Sequence, residues 1–250
     1  MSAIIRLEEL TKSFDSLDVL RGISLDFESG AITSVIGQSG TGKSVLFKCM
    51  IGIMPPDEGR VFYKDQDLAE MSEEEKERVQ RNFGYAFQGA ALFDSMSVAE
   101  NIAFPLREVL GIRKRRELRQ RVQEMLEWIE LPDIGDKNPS ELSGGMRKRV
   151  GVARALAIKP EILLFDEPTS GLDPVLGQTI NDLVVRVNRE LDLTCILITH
   201  DIPAAFRISD KVAFLHEGEV IAQGPPREVA RSEHDMVRQF VENSFSSQEV

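Results

Sequence analysis

The sequence lacks a hydrophobic run long enough to cross a membrane. A membrane-spanning helix needs about 20 consecutive apolar residues, and no stretch of this 250-residue chain approaches that length. The first residues, Met1–Arg6, do not follow the basic-then-apolar layout of a secretory signal. If the protein serves a membrane, we therefore expect it to act from the membrane surface and through a partner.

Cysteine is also scarce. The chain has two cysteines, Cys49 and Cys195, which lie far apart in apolar sequence. This pattern offers no zinc-site spacing and no framework for a disulfide-rich secreted protein. It favours two buried free thiols, with a reactive thiol as the alternative, and it points to the cytoplasm.

Positive charge is in deficit. Lys and Arg total 30 against 41 Asp and Glu, which gives a net charge of −11 and a pI near 4.9. Nucleic-acid-binding domains usually carry a basic face, so we expect no nucleic-acid partner. The chain is 42% hydrophobic, which is enough for a sizeable core.

Short β-rich runs alternate with helical ones, a pattern that predicts an α/β fold with a largely parallel sheet. Buried strands are expected at Ile32–Ile36, Ile162–Phe165 and Thr194–Thr199. Further strands are expected around Ile4–Leu10, Val61–Lys64, Val212–Leu215 and Val220–Gln223.

From about Val98 to Leu156 the pattern is almost entirely helical. Its charge run Arg113–Arg116 indicates a solvated helix face, and contact with lipid headgroups or a partner is the alternative. This block resembles a helical subdomain inserted into an α/β core.

A phosphate-binding motif lies between the predicted strand Ile32–Ile36 and a predicted helix from Ser44 to Ile51. It reads Gly37, Gln38, Ser39, Gly40, Thr41, Gly42, Lys43, Ser44. Glycines let backbone N–H groups close around phosphate, and the helix N-terminus adds partial positive charge. We expect Lys43 to reach the β- and γ-phosphates and Ser44 to contact Mg²⁺. We also expect Val45, the next residue of the helix, to contact the nucleotide.

Two carboxylates and a histidine follow predicted buried strands. Asp166 is predicted to hold Mg²⁺, and Glu167 to polarise the attacking water, because α/β sheets bind ligands at the carboxyl ends of their strands. His200 is predicted to contact the γ-phosphate or the water, although a lone histidine at a strand end is often structural. His216 and His234 have no comparable context.

A glycine-rich segment precedes the basic helical run Arg147–Val150: Leu142, Ser143, Gly144, Gly145, Met146. It resembles the LSGGQ signature of ABC ATPases, with Met146 where glutamine is usual. Other family motifs occur in the family order: Phe14 at the position of the adenine-stacking aromatic, Gln88 at that of the Q-loop glutamine, Ser170–Asp173 at that of the D-loop and His200 at that of the switch histidine.

The resemblance covers nearly the whole chain and implies the ABC ATPase fold. That fold has a P-loop NTPase, RecA-like core with N-terminal antiparallel β strands and an inserted helical subdomain. It implies one domain at 1–243, with the core at 1–88 and 157–224, the helical subdomain at 89–156 and a helical tail at 225–243. Residues 244–250 are expected to fray.

The resemblance also implies the mechanism. ABC ATPases form head-to-tail dimers that sandwich ATP and Mg²⁺ between the phosphate loop of one copy and the signature of the other. It implies catalytic roles for Glu167, His200, Gln88 and Lys43, and Mg²⁺ contacts from Ser44, Gln88 and Asp166. It implies nucleotide contacts from Phe14, the phosphate loop, Asp173 and the opposing signature, Ser143, Gly144 and Gly145. At that signature, Ser143 and two glycine N–H groups open a helix, which suits a phosphate.

The segment from Gly89 to Glu108, together with Met146, resembles the ATPase of the Mla/Mce phospholipid transport system. That resemblance implies a permease docking near Gln88–Met96, with Leu92, Phe93 and Met96 in an apolar notch. It also implies an Mce-domain lipid-binding subunit as an indirect partner, and a place on the cytoplasmic face of the inner membrane. Ordinary core packing is the simpler interpretation of some of these apolar residues.

Two alternatives stand beside lipid transport. An ATPase of a polar amino-acid or other small-solute importer would share every catalytic motif. A non-transport ABC ATPase of DNA repair or the ribosome usually has coiled coils, zinc cysteines or two cassettes in one chain, and none of these is found in the sequence.

Overall fold

The computed structural model describes residues 2–15, 17–38 and 40–246, with side chains described to residue 244. The strands are β1 Ala3–Phe14, β2 Leu17–Glu28, β3 Ile32–Ile36, β4 Glu58–Tyr63, β5 Gln66–Asp67, β6 Phe83–Ala86, β7 Ile162–Asp166, β8 Thr194–Thr199, β9 Lys211–His216 and β10 Glu219–Gly224. The helices are α1 Lys43–Met50, α2 Glu73–Gln80, α3 Val98–Glu108, α4 Arg115–Trp128, α5 Gly144–Leu156, α6 Pro174–Leu191, α7 Ile202–Ile208, α8 Pro226–Val229 and α9 Asp235–Ser246. Short 3₁₀ turns lie at Leu68–Glu70 and Pro139–Glu141.

The chain divides into two compact units, 1–80 with 192–250 and 81–191. The first unit holds an antiparallel sheet in the order β2-β1-β4-β5. It also holds the strands β10-β9-β3-β8, in which β3 pairs in parallel with both β8 and β9. The residues of β3 and β8 are all buried, as expected for parallel strands that are covered on both faces.

The second unit pairs β6 with β7 in parallel and carries helices α3 to α6. The predicted helical stretch from Val98 to Leu156 is confirmed by α3, α4 and α5. The charge run Arg113–Arg116 is exposed, which agrees with a solvated face. The predicted division into core and helical subdomain stays a prediction, since the compact units follow other boundaries.

The C-terminal segment differs from the expectation of one helical tail and a frayed end. Two helices, α8 and α9, are present, and α9 continues to Ser246 rather than ending at residue 243. The helix packs through Val237, which is buried, and through the Phe240 ring, which meets Phe214 edge-on at 5.3 Å. In its last turn the Ser244 hydroxyl donates to the Phe240 carbonyl at 2.7 Å. The predicted frayed residues 247–250 lie outside the described part of the chain.

Both cysteines are buried free thiols, as predicted. Burial raises the pKa of Cys49 to about 11 and that of Cys195 further, so neither forms a reactive thiolate. Within the described residues, no helix is long and apolar enough to cross a membrane.

Candidate functional site

The phosphate loop leaves β3 and runs into α1. Lys43 is 6% exposed, and its Nζ donates to the carbonyls of Gly37 at 2.8 Å and Gln38 at 2.6 Å. The Thr41 hydroxyl also donates to the Gln38 carbonyl, at 2.9 Å. The lysine therefore closes the loop on itself and keeps a positive charge inside it.

Two positions of this loop have no room for a side chain and therefore require glycine. A Cβ on Gly37 would lie 2.2 Å from the Leu215 carbonyl, and one on Gly42 would lie 2.7 Å from the Val19 carbonyl. Gly42 caps α1 with a φ of 95° and offers no side chain to the first N–H groups of the helix. Those donors suit an anion such as a phosphate.

His200 leaves the same edge of the strands as this loop. Ile36 and Thr199 are opposite each other in the parallel β3–β8 pair, so Gly37 and His200 both follow directly. His200 is exposed, and Asp201 after it caps α7 by accepting from the Ala204 N–H. The structure thus brings the predicted switch histidine to the edge that carries the phosphate loop.

The remaining predicted residues of the first unit are accessible. Phe14 ends β1 with 42% of its surface exposed, and the Lys12 ammonium lies 5.8 Å from its ring centroid. Ser44 is exposed and Val45 is half-buried. Ser39 lies outside the described residues.

In the second unit, the acidic strand end is held by a tyrosine. The Tyr85 hydroxyl donates to Asp166 Oδ2 at 3.2 Å. Burial first, and then the Asp166 carboxylate, raises the pKa of Tyr85 far above its ordinary value, so the phenol stays protonated and donates. Gln88 lies beyond the neighbouring β6, where its side-chain amide donates to the Ser170 hydroxyl at 3.3 Å.

Glu167 follows Asp166 in an unusual backbone conformation. Its φ is 48°, in the left-handed region that non-glycine residues rarely adopt. The Lys148 Nζ, from α5, donates to the Glu167 carbonyl at 3.0 Å. Burial lowers the pKa of Lys148 below its ordinary value, and the carboxylates of Glu167 and Asp166 oppose that shift.

The predicted signature opens α5. Ser143 caps this helix, and its hydroxyl accepts from the Met146 N–H at 3.2 Å. Gly144 and Gly145 form the first turn, where the N–H groups have no partner within the helix. Asp173 likewise caps α6, accepting from the N–H groups of Val175 and Leu176 at 3.0 Å each. The structure thus gives Asp173 a structural role that the sequence prediction did not include.

The loop after Gln88 is strained and firmly held. Ala90 and Ala91 have φ values of 61° and 45°, which cost about 1–3 kcal/mol each. Arg154 of α5 donates to the Ala90 carbonyl at 2.8 Å and to that of Ala91 at 2.7 Å. Its guanidinium lies 5.9 Å from the Phe93 ring centroid. Phe93 itself is 41% exposed.

Within the described residues, no three His, Cys, Asp or Glu side chains cluster as a metal site. The residues predicted to contact Mg²⁺ instead offer hydroxyl, amide and carboxylate oxygens. This is the donor chemistry of an ion that shares its coordination with substrate phosphates and water.

Sequence reasoning missed Tyr85 and Lys148, which touch the acidic pair. The parallel β6–β7 register places Tyr85 opposite Leu164, two residues before Asp166, so strand pairing could have suggested Tyr85. Lys148 gave no such signal, because it was one cation within a basic helical run.

A model of the ABC transporter family matches residues 20–170, and relatives match along nearly the whole chain. The probable ribonucleotide transport ATP-binding protein mkl of Mycobacterium leprae is 39% identical over 96% of this chain and 69% of its own length. The methionine import ATP-binding protein MetN 2 of Rhodococcus jostii is 42% identical over 90% of this chain and 66% of its own.

Solved structures agree on the fold. CbiO1 of Clostridium perfringens, part of the ABC transporter complex cbiONQ, has a TM-score of 0.85 at 33% identity, covering 96% of this chain and 94% of that one. The ATP-binding cassette MJ0796, in a dimeric post-hydrolysis state with ADP and Pi, has a TM-score of 0.80 at 31% identity, covering 89% and 99%.

The fold is therefore the ABC ATPase fold, and the predicted fold class is confirmed. The chain belongs to the ABC transporter family and is the ATP-binding, ATP-hydrolysing subunit of a transporter.

Proposed function

We propose that this subunit powers phospholipid transport between an inner and an outer membrane, in an Mla/Mce-type system. It works from the cytoplasmic face of the inner membrane, where it docks on a permease and reaches an Mce-domain lipid-binding subunit only indirectly. The observation that carries the proposal is the loop after Gln88. It holds two alanines in left-handed backbone and displays a phenylalanine that is 41% exposed.

Such a loop is unusual for a surface with no partner. Strained backbone persists where the surrounding structure fixes it, and it concentrates at functional sites. Arg154 and the buried Asn101 both bind backbone groups of this loop. Leu92 and Met96 are half-buried near exposed Phe93 in the chain, and this supports the proposed apolar notch for a short permease helix.

Lipid as the cargo is supported by sequence. Residues 89–108 and Met146 resemble the ATPase of Mla/Mce systems. The Met146 side chain replaces a polar group, while the N–H groups of Gly144 and Gly145 remain at the start of α5. We expect this signature to keep its function for that reason.

ATP binding follows from the phosphate loop. Residues Gly37 to Ser44 and Val45 hold the phosphates, and Phe14 stacks on the adenine. Lys43 supplies a buried positive charge for the β- and γ-phosphates. Ser44, Gln88 and Asp166 would hold Mg²⁺, which would neutralise charge on the phosphates when bound.

Hydrolysis depends on groups that follow strands. Glu167 accepts a proton from the attacking water, and His200 hydrogen-bonds to the γ-phosphate or to that water. Gln88 lies at the start of the loop that docks on the permease, so a change in its contact with the nucleotide site moves that loop. Asp173 and the signature residues Ser143, Gly144 and Gly145 complete the ATP contacts from a second copy, in a head-to-tail dimer.

A dimer suits the place of the signature at the start of α5, where Ser143 is exposed and Gly144 is half-buried. An α-helix start with glycine N–H groups binds phosphate, and MJ0796 is dimeric in its ADP and Pi state. ATP joins two copies through the γ-phosphate charge that both contact, and this charge leaves the site when phosphate is released after hydrolysis. The dimer therefore closes on ATP and reopens afterwards.

A second candidate is an importer of an amino acid or other small solute, which is favoured by the 42% identity to a protein named for methionine import. One experiment separates the two. The chain is purified from membranes with its bound partners, the partners and any lipid are identified, and ATP hydrolysis is measured with phospholipid or methionine added. A co-purifying permease with bound phospholipid supports lipid transport, whereas stimulation by methionine with a solute-binding partner contradicts it.

A further inference from the structure

Lys148 lies where the helix that begins with the signature meets the acidic strand end. It is half-buried, and its Nζ donates to the Glu167 carbonyl at 3.0 Å. The bond goes to the main chain of Glu167, so it constrains the backbone from which the carboxylate projects.

That backbone needs a constraint. With a φ of 48°, Glu167 occupies a region that costs a non-glycine residue about 1–3 kcal/mol. A residue in that region relaxes to right-handed or extended backbone unless its neighbours prevent it, and either change would redirect the side chain. A charged donor is a strong way to fix a carbonyl, since hydrogen bonds to charged groups contribute about 1.5–3 kcal/mol.

We infer that Lys148 is a positioning residue for ATP hydrolysis, which holds the Glu167 main chain in the conformation that aims its carboxylate at the attacking water. This rests on the proposed role of Glu167 as the general base. Lys148 itself touches neither water nor nucleotide in this assignment.

The position of Lys148 also links two functions. Lys148 lies five residues after Ser143, the cap of the same helix, which is about 1.4 turns at about 3.6 residues per turn. A shift of the signature when it engages ATP therefore moves the donor to Glu167. Placement errors of about 1 Å at a reacting group can cost about 100-fold in rate, so this contact ties turnover to signature engagement.

The test measures ATP hydrolysis by the full chain carrying Lys148→Met, which keeps the aliphatic stem but removes the donor. We expect kcat to fall about 10- to 100-fold, with KM for ATP within about twofold because Lys148 does not touch the nucleotide. Lys148→Arg, which keeps a charged donor, restores most of the rate. Lys159→Met, which removes an exposed lysine from the same unit, leaves kcat unchanged.

A double-mutant cycle distinguishes a role of Lys148 through Glu167 from a purely structural role. If Lys148 acts through Glu167, then adding Lys148→Met to Glu167→Gln causes little further loss in single-turnover hydrolysis. Equal fractional losses in both backgrounds, or a kcat for Lys148→Met equal to that of Lys159→Met, overturns the inference. If Lys148→Met lowers the thermal midpoint, Lys148→Leu, which also lacks a donor, replaces it under the same criteria.

The outcomes distinguish the general-base role of Glu167 from the positioning role of Lys148. Rapid hydrolysis by Glu167→Gln removes the general-base role and this inference with it. An inactive Glu167→Gln beside a fully active Lys148→Met removes only the inference about Lys148.

Discussion

The side chain of Asn101 binds both backbone groups of Phe93. The Phe93 N–H donates to Asn101 Oδ1 at 2.8 Å, and Asn101 Nδ2 donates to the Phe93 carbonyl at 3.1 Å. The same Nδ2 reaches the carbonyls of Met96 at 3.1 Å and Ser97 at 3.0 Å. Asn101 is fully buried in α3. The shape of the loop that displays Phe93 therefore depends on one helical side chain.

We predict that Asn101→Ala destabilises the protein by about 1–3 kcal/mol, because it leaves part-buried backbone groups of the loop without partners. Chemical denaturation measures the change. The matched control is Gln123→Ala on the exposed face of α4, where a side-chain hydrogen bond to Glu127 is lost and only a few tenths of a kcal/mol are expected. Equal stability of the two variants would contradict the role given to Asn101.

The sequence predicts local chemistry better than it predicts contacts between distant segments. The central strands were predictable because β3, β7 and β8 are short apolar runs between turn residues. The phosphate loop was predictable because its function fixes residue types at fixed spacing. Both signals are local. The predicted boundaries of these three strands agree with the observed ones to within about one residue.

Side-chain contacts between separate elements were not predictable in the same way. The bonds of Asn101 to Phe93 and of Lys148 to Glu167 join segments whose residue types are common in any helix or loop. The left-handed backbone of Ala90, Ala91 and Glu167 also leaves no mark in composition, since glycine would be the expected residue there. Tertiary packing fixes these conformations, so only the structure reveals them.

For the permease surface, we predict that Phe93→Asp prevents co-purification of the chain with its membrane subunit. A carboxylate in the apolar notch would have to be desolvated on docking, which is costly without a partner charge. Pull-down from detergent-solubilised membranes measures the complex, and circular dichroism checks the fold. Leu110→Asp is the control, since Leu110 and Phe93 are each 41% exposed. An intact complex with Phe93→Asp would place the interface elsewhere.

At the phosphate loop, we predict that Lys43→Ala abolishes high-affinity ATP binding. The substitution removes the buried ammonium and both of its bonds to loop carbonyls, so charge and loop shape are lost together. Titration with a fluorescent ATP analogue measures the affinity. Lys48→Ala, an exposed lysine on the same helix α1, should bind normally. Normal binding by Lys43→Ala would contradict the assignment of the loop.

At the acidic strand end, we predict that Glu167→Gln binds ATP but loses about 10²–10⁴-fold in turnover, the usual contribution of a general base. An amide fits the same space but cannot accept the proton, so the ATP-bound state persists. Phosphate release measures the rate, and size-exclusion chromatography with ATP should show a stable dimer that the unmodified chain does not accumulate. Glu190→Gln, an exposed carboxylate on α6, serves as the control. A monomeric Glu167→Gln that binds ATP but does not hydrolyse it would separate catalysis from dimer closure, and would leave the closing and reopening cycle without support.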